Sequence, residues 1–158
     1  MKNVVMAILA AGVLSSAIGP SFAADATDKT VKQRRAYYQV VLSNAGPLFG
    51  MLKGKMAYDA AKAKTFANNL KLVSQVNNKH LYPKGSGNDN PALKGQTRAL
   101  PAIWAAGSDI SKKGAAWREA VAKLASVAGN GKDAMSAQMK LVGATCSACH
   151  KGYRAKDF

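Results

Sequence analysis

Five residues near the C-terminus, Cys146-Ser147-Ala148-Cys149-His150, constrain this chain more than any other feature in it. C-x-x-C-H is the attachment signal for c-type haem. Two thiols add across the haem vinyl groups, and the adjacent imidazole supplies an axial ligand to the iron. The spacing suits a helix. Cys146 and His150 are four residues apart and Cys149 is three from Cys146, so one helical face carries both thioethers and the ligand. Arg154 continues that face one turn later. Two rival chemistries fit less well. A closed zinc site wants four ligands, and the only other histidine is His80, far off in sequence, with no third cysteine. A redox dithiol of the thioredoxin kind belongs in a βαβ setting, and no stretch shows sustained period-two alternation. Cys146 and Cys149 therefore read as thioethers to one covalent haem c, and His150 as the metal ligand.

The other end of the chain agrees. Met1-Lys2 is a short positive start, and Val4 to Ile18 is apolar or small. Ser21-Phe22-Ala23 is an A-x-A-like cleavage site followed by Ala24-Asp25. The apolar run is too short and too rich in Gly, Ala and Ser for a spanning helix, and no stop-transfer pattern follows. Residues 1–23 read as a secretory signal peptide and 24–158 as one mature domain, with no stable membrane insertion after cleavage. Bacterial haem attachment to C-x-x-C-H takes place outside the cytoplasmic membrane, so the two ends support each other and predict a periplasmic protein.

The mature segment has the commonest domain size and can bury a real core. Hydrophobic residues make up 48% of the chain and aromatics 7%, with Ala and Lys abundant, a mixture that favours helices. The first helix is expected from Asp28 to Leu52, with a kink at Gly46-Pro47. The second is expected from an Asp59 N-cap to about Lys79. Leu81 to Pro91 is turn chemistry throughout. A third helix is expected from Leu100-Pro101 to Val127, passing through Gly107 and Gly114. The fourth starts at Asp133 and carries the haem motif. The fold class is all-α: an antiparallel four-helix bundle around a covalently bound haem.

A C-terminal C-x-x-C-H on the last helix of an all-α chain of this size resembles cytochrome c′ and its class II relatives. Arg34-Arg35-Ala36-Tyr37-Tyr38 resembles that family's first-helix segment, and Lys53 to Ala61 its first interhelix turn. Leu100-Pro101-Ala102-Ile103-Trp104 is similar to its third-helix start, and Tyr153-Arg154 to its ending. The resemblance implies that Cys146 and Cys149 hold the haem and that His150 is the proximal ligand. It places Arg154 beside the proximal face and Arg34 at a haem propionate, where guanidinium pairs with carboxylate. It sets Tyr38, one turn after Arg34, over the open side of the iron.

The residue at that position decides the chemistry. A thioether there would bind iron and make a six-coordinate, low-spin electron carrier. An apolar or aromatic side chain leaves iron five-coordinate behind a cramped pocket. Tyr38 is not a thioether, and ligation as phenolate would need a pKa far below its usual value near 10. It reads as an uncoordinated ring blocking the site. The rival thioethers, Met51 and Met56, lie near the end of the first helix and beyond, and a methionine in such a helix is usually core filler.

The implied roles are electron transfer and binding of nitric oxide or carbon monoxide. Peroxidase chemistry ranks last, since no distal His or Arg acid–base candidate stands out, and the chain is read as not an enzyme. The family also implies a homodimer. The formal net charge of +15, from 23 Lys and Arg against 8 Asp and Glu, would steer an acidic redox partner. Nucleic acid is excluded by the exported location and by the lack of any base-reading module.

Overall fold

The computed structural model describes residues 21–158, with side chains from Thr27 onward. Residues 1–20 of the expected signal peptide therefore lie outside the described residues. Four α-helices form the body: α1 (Ser21–Leu52), α2 (Ala60–Ser74), α3 (Ile110–Val127) and α4 (Lys132–Tyr153). Each packs on its neighbour in sequence, and α1 closes the ring against α4. No strand occurs among the described residues. The architecture is the expected antiparallel four-helix bundle.

The core follows the apolar stripes. Val41, Ala45, Leu48 and Met51 of α1 meet Ala63, Ala67 and Leu70 of α2, Val121 and Leu124 of α3, and Met135, Met139 and Val142 of α4. The small alanines of α2 let it approach the larger side chains of its neighbours. Cys146 continues the α4 stripe and packs against this core. At the end of the bundle away from the haem motif, the Tyr58 hydroxyl donates to Ala128 O at 2.9 Å and accepts from Gly131 N at 3.0 Å. That contact ties the α1–α2 turn to the α3–α4 turn.

Helix boundaries depart from expectation in three places. α1 is already helical at Ser21, where the described residues start, rather than beginning near Asp28. Asp28 instead lies within the helix and pairs with Lys32 one turn on, at 2.6 Å. The helix runs through Pro47 as one element. α2 starts as expected, with the Asp59 carboxylate accepting from Lys62 N at 2.9 Å, but it ends at Ser74, five residues early. The third correction is the largest. Pro101–Trp104 is only a 3-10 turn, Ala105 is extended, and α3 begins at Ile110. Gly107 adopts a φ of +82°, a left-handed conformation that breaks the helical path.

The segment between α2 and α3 does more than connect. It carries 3-10 turns at Lys79–Leu81 and Pro91–Leu93 and lies along the Arg34–Tyr38 part of α1. Its last residues pair with the end of α4. Leu100 N donates to Tyr153 O at 3.0 Å, and Ala155 N donates to Arg98 O at 2.8 Å. This antiparallel contact fixes the chain just beyond the C-x-x-C-H motif.

Candidate haem site

The motif occupies the last two turns of α4. Cys146 and Cys149 are unpaired and half-buried on one face, and His150 is exposed one turn after Cys146. Burial pushes both thiols above their usual range, with Cys149 reinforcing the effect at Cys146. Burial and then the Arg98 charge lower the His150 pKa, favouring the neutral imidazole that a metal requires. Among the described residues no group of three or more His, Cys, Asp or Glu side chains converges on a metal position. The donor set is thus two thiols and one imidazole on a single helical face, which fits covalent haem and not a closed zinc site.

Arg154 lies with its Nη1 3.5 Å from His150 Nδ1. Both line a cleft of about 350 Å³ whose rim also carries Arg98, Lys151 and Lys156. Four cations around one imidazole make this side of the motif suited to anionic groups. Arg98 is fixed by donating to Lys156 O at 2.9 Å and by stacking over the Phe158 ring at 5.1 Å.

Tyr153 anchors the motif to α3. Its hydroxyl donates to Asp109 Oδ1 and accepts from Asp109 N at 2.9 Å. Lys113 pairs with the same carboxylate at 3.2 Å. The Tyr153 hydrogen bond, with Lys113, holds the Asp109 carboxyl below the usual carboxylate range.

The expected residues of α1 face the α2–α3 segment. Tyr38 keeps 39% of its surface open, but its hydroxyl lies 2.8 Å from that of Tyr82. Desolvation raises the Tyr38 pKa well above its usual value, and the phenols and thiol around it, Tyr82 and Cys149, add to the rise while Arg34 opposes it. Tyr37 points elsewhere, donating to Val73 O on α2 at 3.2 Å, with its ring edge-on to Tyr38 at 5.1 Å.

Arg34 is buried, and its terminal nitrogens serve the α2–α3 segment. Nη1 donates to Leu81 O at 3.2 Å and Ser86 Oγ at 2.9 Å; Nη2 donates to Ser86 O at 2.8 Å and Thr97 Oγ1 at 2.7 Å. Its guanidinium also stacks over the Tyr82 ring at 4.9 Å. Sequence reasoning placed Arg34 at a propionate and missed this anchoring role. It also missed Tyr82 and Ser86, which read only as loop, and Thr97, which carried no signal. Met51 is fully buried in the core, and Met56 is exposed in the turn beyond α1.

A four-helix bundle with paired thiols and an imidazole on the last turns of its final helix defines a c-type haem protein. The cytochrome c′ family model matches residues 29–154. The chain is 38% identical to cytochrome c′ of Cereibacter sphaeroides over 99% of both chains. A solved cytochrome c′ from Rhodobacter spheriodes superposes with a TM-score of 0.78 at 38% identity, covering 82% of this chain and 98% of that one. A nitric oxide complex of a cytochrome c′ variant from Alcaligenes xylosoxidans superposes with a TM-score of 0.68 at 28% identity, covering 82% and 97%. This chain belongs to the cytochrome c′ family, and its cofactor is haem c.

Proposed function

We propose that this is an exported haem c protein with His150 as the single protein ligand to iron. Tyr38 covers the opposite side, and the protein binds nitric oxide and carbon monoxide and transfers electrons. The observation that carries the reading is the state of Tyr38. Its hydroxyl is engaged by the Tyr82 hydroxyl at 2.8 Å, and desolvation raises its pKa, so both geometry and burial oppose phenolate ligation. The thioether alternatives lie far away. Met51 is 13 residues along α1 from Tyr38, about 20 Å at 1.5 Å per residue, and is enclosed by core side chains.

Haem c, when bound, supplies an iron that cycles between ferrous and ferric states and takes diatomic ligands. The chain's part is selection. Tyr38 excludes water and weak ligands until its ring moves, and Arg154 and its cationic neighbours hold negative charge near His150. The nitric oxide complex of the Alcaligenes relative supports a gas-binding role. Among the described residues no helix is long and apolar enough to cross a membrane, in keeping with a periplasmic location. The exposed Val40, Leu42 and Leu72 on α1 and α2 offer apolar surface for a homodimer. The high positive charge suits an acidic redox partner. The chain's role is binding and electron transfer, not turnover of a substrate.

The test is the spectrum of the ferric protein with a Tyr38→Ala variant beside it. The native protein should be high-spin or of mixed spin. The variant should bind carbon monoxide 10- to 100-fold more tightly, since the displaced ring packing is worth about 1.5–3 kcal/mol. A low-spin spectrum with a methionine–sulfur charge-transfer band would refute the reading.

A further inference from the structure

We propose that Tyr82, in the segment between α2 and α3, is a positioning residue that locks the Tyr38 ring closed through their hydroxyl–hydroxyl hydrogen bond, so that gas entry requires that bond to break. The inference rests on the reading of Tyr38 as the cover of the iron's open side.

The two tyrosines differ in how they are held. Tyr82 is held at its backbone and on one face of its ring. Its backbone N donates to Lys79 O at 3.0 Å, and its carbonyl accepts from Trp104 Nε1 at 2.9 Å. Its ring lies under the Arg34 guanidinium at 4.9 Å. The same guanidinium clamps the chain on both sides of it, at Leu81 O and at Ser86. Gly87 allows that segment to pack closely. A Cβ there would collide with the Asp89 carboxylate and come within 2.9 Å of the Trp104 ring. The Tyr82 hydroxyl is therefore a fixed point in space.

Tyr38 is the movable member. It stands on α1, where Tyr37 meets it edge-on from one side. A helical tyrosine has two accessible χ1 wells, so the ring can swing without disturbing the backbone. The partner that the structure gives its hydroxyl is Tyr82, at 2.8 Å across 44 residues of sequence. Breaking one neutral hydrogen bond changes the weight of the open rotamer by about three- to ten-fold. A ligand that binds only the open form has its apparent affinity reduced by the open fraction. The lock therefore acts on the rate and affinity of gas binding with no contact between Tyr82 and the gas.

The experiment is carbon monoxide association with the ferrous holoprotein, measured for Tyr82→Phe, Tyr38→Phe, the double variant and Tyr38→Ala. Each Phe variant keeps the ring and its packing, and a cooperative unfolding transition within about 5 °C of the native one verifies that the fold is intact. Each should speed association by about three- to ten-fold, and the double variant should add nothing to either single change, because both remove the same bond. In protein labelled at the tyrosine ζ-carbons, Tyr82→Phe should also shift the Tyr38 resonance, which a purely structural role for Tyr82 would leave in place. If Tyr82→Phe leaves both rate and resonance at native values while Tyr38→Ala accelerates binding, the lock is refuted and the Tyr38 cover stands. Multiplying effects in the double variant would equally refute it, since the hydroxyls would then act separately. If Tyr38→Ala also binds at the native rate, the cover reading fails and takes the lock with it.

Discussion

Replacing Arg34 by Met keeps the length and apolar stem of the side chain and removes its five N–H donors. The structure gives the cost. Four acceptors lose a partner, but two of them retain other bonds: Ser86 Oγ still donates to Pro83 O at 2.8 Å, and Thr97 Oγ1 still accepts from Ala99 N at 3.1 Å. Leu81 O and Ser86 O are left without the donor that Arg34 supplied. Each orphaned buried carbonyl costs about 1–3 kcal/mol, and the stacking on Tyr82 adds about 0.5–1 kcal/mol. Part of this is recovered as water enters the relaxed loop, which leaves about 3–5 kcal/mol. For a domain of this size about 3 kcal/mol lowers the unfolding temperature by about 10 °C. Urea titration of the holoprotein, followed by far-UV circular dichroism, measures it. Arg34→Lys keeps the charge but offers one compact ammonium to four spread acceptors, and should recover less than half of the loss. A Met variant within about 0.5 kcal/mol of the native protein would refute the anchoring argument and return Arg34 to a propionate role alone.

Tyr37, Tyr38 and Tyr82 all have folded-state pKa values raised first by desolvation. Their contribution to stability is complete below pH 10 and is lost as pH rises through the folded values, so the urea midpoint should fall above pH 10. Tyr153→Phe should move the Asp109 carboxyl back toward its ordinary range, read by carboxyl-carbon NMR between pH 2 and 6. An unmoved titration would contradict the Asp109–Tyr153 anchor. Intact-mass analysis of the exported protein should place the mature N-terminus at Ala24, within a residue or two; retained Met1 would contradict the signal-peptide reading.

Much of the fold was legible because local physics decides it. The α4 stripe of Met135, Met139, Val142 and Cys146 appears in the sequence at helical spacing and is the stripe that packs. The Asp59 cap was legible for the same reason: one side chain serves a backbone N–H three residues away. The start of α3 was not, because Gly107 and Ala105 leave the helix under the pull of contacts that the Pro101–Trp104 turn makes with α4. At the site, the residues on α4 were legible as a motif. The partners of Arg34 and Tyr38 were not, because they arrive from 44 to 63 residues away in a stretch whose composition signals only turns. No periodicity encodes which loop hydroxyl will meet which helix.

That stretch changes how the site is controlled. The helices alone would leave the Tyr38 hydroxyl without the partner it has at 2.8 Å. The α2–α3 segment supplies a fixed hydroxyl, and its own fixity comes from Arg34, Ser86, Thr97 and Trp104. Under the proposed lock, one guanidinium links stability and ligand access. Arg34 stacks on Tyr82 and holds the loop that carries it, so weakening that grip should loosen the cover before it unfolds the bundle. Substitutions such as Thr97→Val, which remove one buried acceptor of Arg34, belong to the same circuit. Substitution in this loop then offers a route to tune gas binding while Cys146, Cys149 and His150 stay untouched.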